Sequence, residues 1–370
     1  MKRDLNREEI ELYSIINQLR QCRVPSMLEA RYWAPRDLRL ENADTSLPEE
    51  GEVVVKVLAS NICGTDLKSF LRGHPLMRPP MTMGHEFCGV VSEVGEGVKR
   101  FKAGDRVVAS NSSPCGACTS CRKGAPTLCE RIPSRLIGFS LPGSYAQYVK
   151  IPRHIVSENT YSVKTSVTPG ELACSEPLAA AIHALDRVKL QSGMGVVLIG
   201  SGALGLMLLQ LLKTRDIHVT MANRSESRLR IAEKMGADDV LQVTDEDLVA
   251  KARGAGGRTG PDLVIEAVGK KETWEAAFRI VGEGGQVLFF GGCAAGTEVS
   301  FDAGKMHYGE VTVTGSFHHE PSSFKRAIAA IESGKVRVRP LLTHSVPLER
   351  IQDGFGLMER REALKVTVTT

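Results

Sequence analysis

The chain has 370 residues, 42% of them hydrophobic and 24% charged, with a net charge of +4 at pH 7. That length exceeds one ordinary domain and suits two. The small, interspersed charge argues against a nucleic-acid partner, and no stretch offers the roughly 20 uncharged residues that a membrane helix requires. The opening "MKRDLNREEIELYSIINQLR" lacks the apolar core of a signal peptide. Nine cysteines, an odd number, favour metal ligands and buried thiols over a secreted disulfide framework. A cytoplasmic protein with no membrane partner is expected.

Leu12, Ile15, Ile16 and Leu19 fall at helical spacing, so an N-terminal extension over 1–25 is expected to be helical. It either docks on the body or a partner subunit or is a plain extension. From 26 to 182, short β-branched runs such as "EVVVKVLAS" and "CGVVSEVG", punctuated by glycine and proline, read as a mainly β domain. Three candidates stand in it: Cys63 in "NICGTDL", and His85 and Glu86 in "MGHEFCG". Further on, "SPCGACTSCRKGAPTLCE" places Cys115, Cys118, Cys121 and Cys129 at the spacing C-x2-C-x2-C-x7-C within 113–130. Four soft thiolates suit a closed tetrahedral zinc, with an iron–sulfur cluster as the rival reading. Four protein ligands leave no position for a substrate, so this lobe is expected to be structural. Glu176, in "CSEPLAAAIHAL", completes the set of scattered candidates. Taken singly, Cys63, His85 and Glu176 read as a buried thiol, a hydrogen-bonded core histidine and a helix-start carboxylate. Taken with the lobe and the pattern that follows, they are candidates for a zinc with three protein ligands and one open position.

Beyond about Leu185 the strands "VVLIG", "HVTMA", "DLVIEA" and "QVLFFGG" alternate with helical stretches "ALGLMLLQLLK", "SRLRIAEKMG" and "ETWEAAFRI". This is the pattern of parallel βαβ units with both sheet faces covered. After the first strand, Gly200, Gly202 and Gly205 form G-x-G-x-x-G, with Ala203 and Leu204 inside it, opening a helix. Gly200 permits the tight turn, Gly202 lets backbone amides approach a pyrophosphate, and Gly205 lets the helix pack closely on the strand. At the end of the second strand an NAD site usually carries an acid, but here Asn223 and Arg224 stand there. A neutral amide removes repulsion of a 2′-phosphate and a guanidinium can bind it bidentately, so NADP is expected over NAD, with Arg228 counted in the same site. Arg224 as a surface arginine on an NAD protein is the alternative. After "VTVTGSF" a helix over 322–332 leads to "KVTVTT", which is expected to return to the β domain.

The combination of "CGTD", "GHEFCGVVSEVGEGV" with Gly84, Gly89, Gly95 and Val98 in register, the four-cysteine lobe, "EPL" and "GSGALG" resembles the zinc-containing medium-chain alcohol dehydrogenases. The likeness runs over 26–370 and is greatest to the polyol (sorbitol-like) and threonine dehydrogenase branch. It implies an α/β fold in which a GroES-like β-rich catalytic domain, 26–182 and 320–370, is interrupted by a Rossmann doubly wound parallel-sheet domain, 183–319. It implies two zinc ions per chain, one structural in the lobe and one catalytic on Cys63 and His85. Glu86 would ligate that zinc directly or exchange with water, and Glu176 would take the position where many relatives have a second cysteine, leaving Cys174 as a decoy. Thr65 would begin the proton relay. Lys68 departs from the histidine that relatives commonly have there, which leaves the path to solvent open.

The activity implied is hydride transfer between a small-molecule alcohol, polyol or ketone and NADP or NAD, in a homodimer or homotetramer. An amino-acid alcohol such as L-threonine is the alternative substrate, and a non-catalytic relative the alternative class. Lys68, Arg72, His74, His318 and His319 can line a mouth for polar or phosphorylated substrates, although solvated loop residues are the simpler reading of all five.

Overall fold

The computed structural model describes residues 26–255 and 260–370. The helix expected over 1–25 lies outside them. The β-rich part is organised by strand Val53–Asn61, whose "VVVKVLASN" is buried at seven of nine positions. A β-branched run of this kind fits a pleated surface covered on both faces. The strand pairs antiparallel with Glu86–Val94, with Tyr148–Ile151 and with Lys365–Thr369. A smaller sheet, Ser26–Ala34 with Asp37–Asp44 and Met81–Thr82, covers one side.

The chain then builds a six-stranded parallel sheet in the spatial order Asp239–Gln242, His218–Asn223, Gly195–Ile199, Leu263–Glu266, Gln286–Phe289 and Thr312–Gly315. The first strand formed, Gly195–Ile199, lies inside the sheet, and later strands add on both its sides. The order therefore reverses between Gly195–Ile199 and Leu263–Glu266, where a crevice opens beyond the carboxyl ends of a doubly wound sheet. Helix Ala203–Lys213 holds this arrangement in place: Leu206, Met207, Leu208, Leu209 and Leu212 are all 0% exposed. Burying each of them contributes about 2 kcal/mol.

Helix Pro321–Glu332 packs on helix Ser175–Asp186, and both join the core of this parallel sheet through Phe324, Ile328, Leu178 and Ala181. Helix Ser175–Asp186 runs through the position 182/183. Strand Lys365–Thr369 then returns to the β-rich sheet, pairing Thr367 with Asn61. No helix among the described residues is long and apolar enough to cross a membrane.

Candidate active site

The crevice is a cavity of about 580 Å³ whose walls include Gly200, Ser201, Gly202, Asn223, Arg224 and Arg228. The three glycines have separable reasons. Gly200 has φ +109°, and a Cβ on Gly205 would lie 1.9 Å from the Gly200 carbonyl, so both are confined to glycine by backbone. A Cβ on Gly202 would meet nothing within 4 Å. Gly202 is the N-cap of Ala203–Lys213 and supplies no side-chain cap, so the first N–H groups of this 11-residue helix are uncapped where Gly202 lines the cavity. That is an anion cradle, and it fits a dinucleotide pyrophosphate. Ala203 and Leu204 open the helix and are not among the cavity-lining residues. Asn223 donates to Ser201 Oγ and accepts from Arg224 N at 2.7 Å, which leaves no carboxylate at the end of the second strand.

In the lobe, the Sγ atoms of Cys115, Cys118, Cys121 and Cys129 all lie within 4.8 Å of one another, and Cys118 and Cys129 are 3.8 Å apart. Four sulfurs at about 2.3 Å from one tetrahedral ion would be separated by about 3.8 Å. The backbone N–H of Cys115 points at Cys129 Sγ and that of Cys118 at Cys115 Sγ, both at 3.3 Å. Backbone N–H groups of Ala117 and Cys118 pull the Cys115 thiol down to about 6, while burial and the neighbouring thiols push Cys121 up to about 12. Thiols packed this closely oppose one another's ionisation, and a cation removes the conflict. All eight cysteines among the described residues are free of disulfides.

The second cluster is assembled from distant segments. Cys63 caps helix Gly64–Arg72, its sulfur accepting from Thr65 N at 3.4 Å while Asp66 Oδ2 accepts from Cys63 N at 3.1 Å. The same Asp66 accepts from Tyr145 Oη at 2.6 Å, and its other oxygen lies 3.1 Å from His85 Nδ1. With Nδ1–H committed to Asp66, His85 offers Nε2 to a ligand. Glu86, fully buried, pairs with Lys365 through one oxygen, and its other oxygen, Oε1, is buried without a partner. Ligand atoms of Cys63, His85 and Glu86 lie within 4.8 Å of one another. One thiolate, one imidazole and one carboxylate oxygen in need of a partner fit a divalent metal with an open position.

The structure places Glu176 in a different group: its ligand oxygen clusters with the ring nitrogens of His318 and His319. His319 Nε2 is 3.3 Å from Glu176 Oε1, and His318 Nε2 meets Ser112 Oγ at 2.5 Å. Burial pushes the Glu176 carboxyl up, but the His319 hydrogen bond and the charges of His85 and His319 outweigh it and hold it at about 2. Burial and His319 push His318 down to about 3. Cys174 is fully buried, with Sγ engaged by Asn61 and Gly170 O, and belongs to neither cluster.

Of the five basic residues read as solvated loop positions, Lys68 and Arg72 are exposed but lie on helix Gly64–Arg72. The reading is corrected for His319, buried beside Glu176, for His318, half-buried beside Ser112, and for His74, which packs on the Phe139 ring that also covers His85. His318 and His319 follow strand Thr312–Gly315 and meet Glu176 and Ser112 from remote segments, which one sequence segment cannot reveal. Asp66, Tyr145 and Lys365 join the site only in the folded chain. Asp66 was within reach, since it sits three positions after Cys63 in a capping pattern.

The alcohol dehydrogenase GroES-like domain matches residues 49–160 and the zinc-binding dehydrogenase family matches 203–333. A D-arabinitol dehydrogenase 1 from Uromyces fabae is 31% identical over 350 residues, which cover 93% of this chain and 98% of that one. An L-threonine 3-dehydrogenase from Bacillus velezensis is 29% identical over 322 residues, covering 86% and 91%. A solved zinc-binding dehydrogenase from Sinorhizobium meliloti bound to NADP superposes with a TM-score of 0.86 at 28% identity, over 94% of this chain and 100% of that one. The chain belongs to the zinc-containing medium-chain alcohol dehydrogenase family. Its activity is accordingly NAD(P)-dependent oxidoreduction of an alcohol.

Proposed function

We propose that the protein interconverts a polyol or other secondary alcohol and its ketone, using NADP in preference to NAD and two zinc ions per chain. The observation that carries this reading is the short link between the two sites. Ala363 and Leu364 line the dinucleotide cavity, and the next residue, Lys365, holds the Glu86 carboxylate beside Cys63 and His85. The similarity to a D-arabinitol dehydrogenase supports the polyol class, and the absence of an acid at Asn223 supports NADP.

In this reading the lobe thiols Cys115, Cys118, Cys121 and Cys129 hold a structural zinc. Cys63, His85 and Glu86 hold the reactive one, with Glu176 as a further ligand once it turns from His319. Zinc bound there supplies Lewis-acid polarisation of a substrate oxygen, and the nicotinamide supplies the hydride acceptor. The chain's own residues do the rest. Asp66 fixes the His85 ring, Lys365 orients Glu86, and the exposed Thr65 hydroxyl takes the substrate proton. His318 and His319 present imidazole edges to a hydroxyl-rich substrate. We further read 26–182 with 320–370 as the catalytic domain and 183–319 as the cofactor domain. The edge strand Thr312–Gly315, with Tyr308 85% and Phe317 66% exposed beside it, is read as a homodimer face that can build a homotetramer, in the cytoplasm.

The test is a matrix of sugars, polyols, their phosphates and L-threonine against NADP and NAD, followed by absorbance of the reduced nicotinamide. Polyol turnover with NADP, abolished by a chelator, is the expected result. Turnover of threonine alone would overturn the substrate class, and NAD outperforming NADP throughout would overturn the cofactor preference.

A further inference from the structure

We infer that Arg361, supplied by the turn after helix Ile351–Glu359, completes the pocket for a 2′-phosphomonoester, so that this phosphate is held from both sides of the crevice. This rests on the NADP reading and adds a residue that no glycine motif or strand-end rule points to.

The turn is built to place this side chain. Helix Ile351–Glu359 ends with Arg361 N–H donating to Met358 O at 3.1 Å and Glu362 N–H to Leu357 O at 3.0 Å. Arg361 adopts φ +62°, the left-handed conformation that glycine usually supplies just past a helix. A non-glycine residue there is disfavoured. The arginine so placed lines the same cavity as Asn223, Ser225, Ser227 and Arg228.

The charges around it do not cancel. Glu362, the acid beside Arg361, is taken by Arg360 through a bidentate pair at 2.9 and 3.0 Å. Asp245 is paired with Arg224 at 3.3 Å. Neither Arg228 nor Arg361 has a carboxylate partner among the described residues. Both line the one cavity, and burial, with the Arg361 charge added to it, pushes Arg228 down. Two unpaired guanidiniums sharing a cavity are mutually repulsive until an anion enters between them. The position selects the anion. The cavity wall at Asn223 is the end of the second strand, where the adenosine ribose lies in this fold, away from the pyrophosphate cradle at Gly202. A 2′-phosphate, with three acceptor oxygens and close to two negative charges, satisfies both forks; a bare 2′-hydroxyl satisfies neither.

The test is calorimetric titration of the full-length protein, and of its R361G and R361K variants, with 2′,5′-ADP and with 5′-AMP. Glycine removes the side chain and suits the left-handed turn, so R361G keeps the backbone. The wild type is expected to bind 2′,5′-ADP more tightly than 5′-AMP. R361G should weaken 2′,5′-ADP roughly tenfold, the loss of one charge-assisted fork, and leave 5′-AMP unchanged, with R361K intermediate. A wild type that prefers 2′,5′-ADP alongside an R361G that binds it equally well overturns the role of Arg361 and leaves the NADP reading standing. Equal weakening of both nucleotides also overturns it, since Arg361 would then act only on the shape of the turn. A wild type indifferent to the 2′-phosphate overturns the NADP reading, and this inference with it.

Discussion

The lobe collects four thiols from one loop, from Cys115 to Cys129, whereas the cleft draws one thiol, one imidazole and one carboxylate from the start of a helix and the start of a strand. In the lobe the four candidate ligands have mainly one another and nearby backbone N–H groups as neighbours. In the cleft they are surrounded by partners of their own: Asp66 on His85, Tyr145 on Asp66, Lys365 on Glu86. A site meant only to hold a loop needs ligands. A site meant to react needs ligands that are oriented, and a place left over.

That contrast can be broken experimentally. His85→Ala removes a proposed cleft ligand and is expected to lower kcat by about 10³-fold or more, several kcal/mol of barrier. Zinc content by plasma emission should fall from two per chain to one. A variant that keeps both ions or its turnover would dissolve the distinction. Asp66→Asn leaves every proposed ligand in place and changes the carboxylate that holds His85, Tyr145 and the Cys63 N–H. It should cost about 10- to 100-fold in zinc affinity or kcat, with the lobe ion retained. Cys121→Ser strikes the other site. There the effect belongs to stability, on the order of 10 °C in Tm for several kcal/mol, while kcat per folded chain stays within about twofold. Gly202→Ala, with open space before its Cβ, should raise the cofactor Kd by about tenfold without moving Tm, as measured by fluorescence titration; Gly205→Ala, at 1.9 Å from the Gly200 carbonyl, should lower Tm instead.

Much of this was legible in the linear chain because contiguous stretches encode it. The alternation of apolar strands with amphipathic helices, the glycine spacing and the lobe cysteines are all local patterns, and local patterns survive projection onto a line. The strand character of "KVTVTT" is legible for the same reason, although its pairing with Val53–Asn61 is a remote contact. What escaped depends on contacts between remote segments. His319 meets Glu176 only because helix Ser175–Asp186 and the segment after strand Thr312–Gly315 come together. Arg361 belongs to no motif, since its meaning comes from a left-handed turn and an arginine on another element. Lys365 looks like an ordinary strand lysine until its burial is known, at 4% exposure. Asp66 is different: it stands in the contiguous stretch "CGTD", and its contacts with Tyr145 and His85 appear only in the folded chain.

The pairing of Glu86 with Lys365 also sets an order in time. The two residues are 279 positions apart, so during synthesis the carboxylate leaves the ribosome long before the lysine that neutralises it exists. A buried carboxylate without its partner is strongly destabilised, and the cleft cannot settle until the last strand has been made and laid down beside Val53–Asn61. The lobe has no such dependence, because its four thiols emerge together. A chain stalled on the ribosome before residue 365 should therefore bind one equivalent of zinc, in the lobe, and acquire the second only after release.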